Sequence, residues 1–221
     1  MFKKVLIAED HEVLNFSVQR TVQELNIPVV DHVFYCDDAL EKAKKSLREG
    51  APYDLLITDL HYDSDHYEQK IKSGRGMICE IRKLMPSLKV IVFSAEHKPG
   101  VIDELFTEYG IDGFVRKGRQ DSKQLIKAIR TVDSGEKFLA PETGLEMKKL
   151  NRYEISTFNM KVISLLASGV FQKDIPDHLK KENIEPNSLS TIEKRLNQLK
   201  EELGVKTNEQ LIAFCKDLGV I

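Results

Sequence analysis

The stretch FKKVLIAEDHEVLNFSVQRTVQEL, residues 2–25, decides the fold. Lys3 to Ala8 is a short, nearly continuous apolar run that ends in two acids, Glu9 and Asp10. Residues 12–25 then place apolar side chains at helical spacing, so a buried strand feeds an amphipathic helix. The same alternation recurs down the chain. Apolar runs stand at Val29–Tyr35, Asp54–Thr58, Lys89–Phe93 and Gly113–Val115, and helical patterns at about 37–49, 75–85, 99–109 and 121–134, with Asp37 and Asp121 placed as N-caps. Five βα units in 134 residues predict an α/β fold, a doubly wound five-stranded parallel sheet. A (β/α)₈ barrel needs eight units and ~250 residues.

Beyond this block the character changes. Ser134 to Tyr153 carries Gly, Pro and clustered charge without periodicity and reads as a linker. The remainder is helical at about 157–168, 172–181, 188–203 and 207–218, with Gly169 and Gly204 as stops. In the third helix Leu189, Ile192, Leu196, Leu199 and Leu203 form one apolar stripe that the pattern predicts to be buried. The expected organisation is therefore an α/β domain at 1–134, a linker at 135–153 and a small all-α domain at 154–221.

Composition narrows the class. With 41% hydrophobic and 31% charged residues among 221, the chain has the balance of a globular protein, not a disordered one. No apolar run approaches the ~20 residues of a membrane span or forms a signal-peptide core, so no membrane association and a cytoplasmic location are expected. Cys36, Cys79 and Cys215 are odd in number, far apart and without CxxC spacing; they read as buried thiols. Net charge is −2, and after residue 150 ten Lys or Arg balance ten Asp or Glu, so no broad positive field advertises a polyanion.

Chemistry is expected where an open parallel sheet binds ligands, beyond the carboxyl ends of its strands. The first strand ends in Glu9 and Asp10, the third in Asp59, the fourth in Ser94 and the fifth in Lys117. Like charges ~4 Å apart cost about 4 kcal/mol at an effective dielectric of 20, so three acids require a cation among them. Hard oxygen ligands in a partly open site suit Mg²⁺, which keeps waters and adds phosphate oxygens. Beside that ion a carboxylate can attack phosphorus, with Lys117 neutralising the added charge and Ser94 reaching a new phosphate oxygen. A single strand-end acid would read as a solvated helix cap; the joint pattern does not.

These residues identify a resemblance. VLIAEDH (Val5 to His11), DLLITDL (Asp54 to Leu60), VIVFSA (Val90 to Ala95) and DGFVRKG (Asp112 to Gly118) resemble the receiver domains of two-component response regulators, which have a flavodoxin-like fold. The resemblance implies that Asp59 is the phosphoacceptor. It further implies that Glu9, Asp10, Asp59 and the backbone carbonyl of His61 hold Mg²⁺, that Lys117 binds the phosphate, and that Ser94 and Phe114 are the hydroxyl and aromatic switch positions. A histidine kinase would be the phosphodonor. One departure is plain: HYDSDHYEQKIKS separates Asp59 and Leu60 from Gly74, about seven residues longer than the family pattern. His61, Asp63, Asp65 and His66 within it are adjacent side chains of a loop and are expected to be exposed rather than a second metal site, with His61 and Glu96 near enough to the acceptor to set the phosphate's lifetime.

The last helices resemble LuxR-type helix-turn-helix domains through VISLLASG (Val162 to Gly169), KDI (Lys173 to Ile175), STIEKRL (Ser190 to Leu196) and LGVKTNEQLI (Leu203 to Ile212). By that resemblance the helix from about Asn187 to Glu202 enters the major groove of double-stranded DNA, with Thr191, Lys194 and Gln198 facing outward and Arg195 on the flank. The implied protein is a transcription regulator, not an enzyme beyond its own phosphotransfer and dephosphorylation, and a homodimer when phosphorylated. The rival reading is a response regulator whose C-terminal helices bind a protein. An enzyme holding flavin on the open sheet is disfavoured, because three acids at the strand ends repel a phosphate unless a metal intervenes.

Overall fold

The computed structural model describes residues 1–63, 66–144 and 155–221, and these divide into two compact units. In the first, β1 (Lys4–Ala8), β2 (Val29–Val33), β3 (Leu55–Thr58), β4 (Lys89–Ser94) and β5 (Gly113–Arg116) alternate with α1 (Glu12–Gln23), α2 (Cys36–Arg48), α3 (Gly74–Leu84), α4 (Pro99–Thr107) and α5 (Asp121–Asp133). The strands are all parallel in the order β2-β1-β3-β4-β5, and a short β6 (Phe138–Leu139) adds to β5. The sheet thus has six strands rather than the expected five. A two-residue strand leaves no period to read, and β6 falls inside the stretch expected to be linker.

Burial explains the strands. Val5, Ile7, Leu55, Ile57, Ile91 and Phe93 meet Val18 and Val22 of α1 and Leu125, Ile129 and Val132 of α5 on one face. Strands covered on both faces read as continuous apolar runs, as β1 and β3 do. Strand order reverses between β1 and β3, since β2 lies outside β1 and all later strands lie beyond β3. That reversal opens a crevice where the ends of β1 and β3 diverge.

The second unit contains α6 (Thr157–Ala167), a 3₁₀ turn at Gln172–Asp174, α7 (Ile175–Lys181), α8 (Leu189–Leu203) and α9 (Asn208–Leu218) around a core that includes Val162, Ile163, Ile175, Leu179, Ile192, Leu196, Leu199 and Leu211. Ser156, Ser188 and Thr207 cap α6, α8 and α9 by accepting from the amide three residues on. Gly169 and Gly204 take positive φ at the stops the sequence assigns them. Leu189 departs from its stripe: it opens α8 beyond the edge of the core and is 38% exposed.

Three local expectations are corrected. Asp37 and Asp121 are not N-caps; Tyr35 and Gln120 hold those positions, and both acids sit in the first turn. Cys79 lies on the outer side of α3 and is exposed, whereas Cys36 and Cys215 are buried. Residues 145–153 of the expected linker and residue 154, where the all-α domain was expected to begin, lie outside the described residues, as does residue 65 of the long segment.

Candidate functional site

The end of β1 is fixed from below. Asn15, buried on α1, donates through Nδ2 to the carbonyls of Glu9 (2.8 Å) and Val33 (3.3 Å). An amide on an otherwise apolar helix face was the available signal for this support, and periodicity alone passed over it. Glu9 is itself buried, and Asp10 stands at the mouth.

At the end of β3, Asp59 is buried and accepts through Oδ1 from the amides of Leu60 (2.5 Å) and His61 (3.4 Å). Its Oδ2 accepts from Lys117 Nζ at 2.6 Å, and the same ammonium lies 2.8 Å from Glu9 Oε2. Lys117 therefore bridges the two deepest acids. Burial alone would push its pKa down, but Asp59 and Glu9 outweigh that and hold it above the ordinary lysine value. Burial raises the pKa of Glu9, with Lys117 opposing and Asp59 adding to the rise. Glu9 Oε2 and Asp59 Oδ2 thus share one ammonium between two buried carboxylates.

Ser94 closes β4, fully buried, and its Oγ accepts from the amide of Glu96 at 3.4 Å. Phe114 is likewise fully buried on β5. His61 Nε2 lies 3.9 Å from Glu96 Oε2, so these two residues do share one space. Among the described residues, ligand atoms within 4.8 Å of one another come from Glu9, Asp10 and His11; Asp59 joins them through Lys117. The sequence reading missed His11, whose Nδ1 lies 3.0 Å from Asp10 and 3.5 Å from Glu9 and whose pKa is raised by the hydrogen bond to Asp10.

Gly74 explains why α3 starts where it does. A Cβ there would stand 1.9 Å from the Asp59 carbonyl oxygen, and its amide donates to the Leu60 carbonyl at 3.0 Å. An antiparallel bridge pairs His61 with Ser73, so the long segment leaves and rejoins the β3–α3 connection at one point. The described residues at both ends of that segment are anchored. The hydroxyl of Tyr62 donates to the Ala8 carbonyl, Gln69 accepts from the Cys36 amide, and the Asp37 carboxylate accepts from the amides of Lys70 and Ile71.

In the second unit Lys194, Arg195 and Gln198 are exposed on α8. Thr191 is half-buried, and its hydroxyl lies 2.8 Å from the Ser188 Oγ that caps the helix, so it is less available than the sequence suggested. Gln198 Nε2 donates to Glu202 at 2.8 Å.

Taken chemically, the first unit offers a buried carboxylate, Asp59, with one oxygen on a lysine, two further acids at its side and a buried hydroxyl from the neighbouring strand. This is a place for an anion to be added to a carboxylate and neutralised there. Comparison with known proteins agrees in kind. A family model described as the response regulator receiver domain matches residues 5–130. The transcriptional regulatory protein RcsB of Escherichia coli is 24% identical over 215 residues, 95% of this chain and 92% of its own length. The virulence factors putative positive transcription regulator BvgA of Bordetella pertussis is 26% identical over 224 residues, 98% of each chain. Among solved structures, RcsB of Salmonella typhimurium superposes with a TM-score of 0.70 at 24% identity over 96% of this chain and 98% of that one.

Proposed function

The chain belongs to the response regulator receiver family, and from that premise we propose that it is a phosphorylation-controlled transcription regulator whose acceptor is Asp59. The observation that carries this reading is the Lys117 ammonium held between Asp59 Oδ2 and Glu9 Oε2. A carboxylate oxygen of Asp59 attacks the phosphorus of a phosphohistidine on a kinase; the O–P bond forms as the P–N bond breaks, and its electron pair stays on the imidazole. Lys117 holds the charge gathered on the transferred group, and the Ser94 hydroxyl binds one of its oxygens.

Glu9, Asp10, Asp59 and the backbone carbonyl of His61 fit Mg²⁺: the donors are all oxygens, and the two buried carboxylates, Glu9 and Asp59, have a single ammonium between them, which leaves charge for a second cation to offset. Bound there, the ion would neutralise phosphoryl oxygens. The output rests on α8. RcsB has been solved in complex with DNA, and that structure matches this chain with a TM-score of 0.64 at 24% identity, covering 98% of each. In our reading residues 154–221 bind double-stranded DNA through Lys194, Arg195 and Gln198, with Thr191 at the margin, as a homodimer formed when Ser94 and Phe114 repack around the phosphate. The receiver extends past the expected boundary at residue 134 to take in β6, which leaves the linker to begin after Gly144, in a protein acting in the cytoplasm. The protein-binding alternative is favoured by one observation, the exposure of Phe171 (71%) and Leu189 on the helical unit.

Intact mass after incubation with Mg²⁺ and acetyl phosphate tests the core of the proposal. One phosphoryl group is expected on the parent chain and none on Asp59→Asn; equal labelling of both would refute Asp59 as acceptor.

A further inference from the structure

Both oxygens of Asp10 hold a donor. Oδ1 lies 3.0 Å from the His11 ring, and Oδ2 accepts the backbone N–H of Asp63 at 2.7 Å. The second donor belongs to the long segment between the His61–Ser73 bridge, the part of the chain that departs from the family pattern. Fixing such a backbone costs about 1–2 kcal/mol per residue in conformational entropy, so its anchors need a structural reason. The Tyr62 hydroxyl reaches the Ala8 carbonyl at 2.7 Å and Thr58 Oγ1 at 3.0 Å, tying the residue before Asp63 to the ends of β1 and β3. At the far side Asp37 receives two amides at 2.7 and 3.0 Å, Gln69 holds the Cys36 amide at 3.0 Å, and the Tyr67 ring stacks against Tyr35 with centroids 4.9 Å apart. The Asp63 amide, next in the chain after Tyr62, meets Asp10 Oδ2.

We propose that this segment is the outer support of the metal site, with the Asp63 amide as the group that positions Asp10. The inference rests on the metal reading given above. Asp10 stands at the mouth beside the buried Glu9, and without a second donor only the half-exposed His11 ring would restrain it. The amide takes part of the charge on Oδ2 and fixes the plane of the carboxylate, leaving its other lone pairs for a cation. Donors that orient metal ligands in this way are worth ten- to a hundredfold in affinity. Asp63 acts through its backbone; its carboxylate, 89% exposed, lies 3.9 Å from His11 Nε2 and bears on Asp10 only through that ring, which is why Asp63→Ala is the control.

The test is Mn²⁺ binding to the full chain, followed by the electron paramagnetic resonance of the free ion. Asp63→Pro removes the N–H, Asp63→Ala keeps it, and a third variant replaces residues 63–72 by two glycines, which the meeting of His61 and Ser73 makes geometrically possible. Asp63→Pro and the shortened loop are each expected to raise Kd about tenfold, and at least about fivefold more than Asp63→Ala does. Melting curves identify a variant that fails to fold; if that is Asp63→Pro, the shortened loop decides. Parent-like or tighter binding by the shortened loop or by folded Asp63→Pro would overturn the proposal, as would equal weakening by Asp63→Ala and Asp63→Pro. A parent chain that binds no Mn²⁺ would instead remove the metal reading, and with it this inference.

Discussion

Cys36 and Cys79 show how little a residue's identity says without its surroundings. Burial pushes the Cys36 thiol up to about 12 and Cys215 up to about 11, so neither is a thiolate at neutral pH, whereas Cys79 is exposed on α3. An aromatic disulfide reagent should therefore titrate one thiol rapidly in the native protein and all three after denaturation; rapid reaction of two would contradict the burial of Cys36 or Cys215. Asp31 offers a second measurement away from the site. Burial works against its ionised form, but the Tyr53 hydroxyl donating at 2.6 Å and the nearby Lys42 prevail and hold its pKa below the usual aspartate value. A carboxyl depressed in the folded state stabilises above its unfolded pKa, and that stability is lost as pH falls through the folded value. Tyr53→Phe should cost about 1 kcal/mol at pH 7, a modest figure because Asp31 is about a third exposed, and less below pH 3. Urea unfolding at both pH values checks it, and an undiminished difference in acid would show that the contribution of the hydroxyl does not depend on the ionised Asp31.

The elements were legible where their period was long and their burial two-sided. β1, β3 and the five receiver helices fall within a few residues of the positions read from the sequence, because a continuous apolar run or an amphipathic turn pattern is a direct image of what is buried. The strand-end acids were legible for the same reason: a charge closing an apolar run has nowhere to go but the sheet's edge. What escaped was set by tertiary contact. The Asn15 support and the anchoring of Tyr62, Gln69, Lys70 and Ile71 depend on partners outside their own elements, the His11 contact with Asp10 depends on local side-chain geometry, and β6 is too short to carry a pattern. Gly74 lies between the two cases, chosen from its place after the long segment and explained by the Asp59 carbonyl oxygen against it. Gly74→Ala forces the start of α3 away from the end of β3. Overpacking of this kind costs about 1–3 kcal/mol, and here the displaced backbone is that of the proposed acceptor. Urea unfolding should register the loss, and the folded fraction should take phosphate from acetyl phosphate several-fold more slowly than the parent; a parent-like rate would mean that the acceptor tolerates the shift.

At the scale of the molecule, the two units differ in how much their own residues say about function. The first carries its chemistry in a few converging groups, whereas the second is electrically balanced, with ten basic and ten acidic residues after position 150. Affinity for DNA grows with the phosphates neutralised, and each neutralised phosphate adds about 0.9 to the slope of log K against log salt. A single neutral unit presenting Lys194 and Arg195 on α8 should therefore bind weakly and with a shallow slope, and pairing two units should about double the slope while matching half-sites about one helical turn apart. The two side chains should separate by role. Gln198, on the outer face and free to exchange its bond to Glu202 for a base edge, should on change to Ala relax preference at one base pair by about 1–3 kcal/mol. Arg195→Ala should weaken every sequence alike and lower the slope by about one per unit. Binding titrations at several salt concentrations, with unphosphorylated and phosphorylated protein on duplexes from a random-sequence selection, measure all three quantities. If phosphorylation leaves affinity and slope unchanged and no sequence is enriched, α8 does not read DNA. The exposed Phe171 and Leu189 would then mark the surface of a protein partner instead.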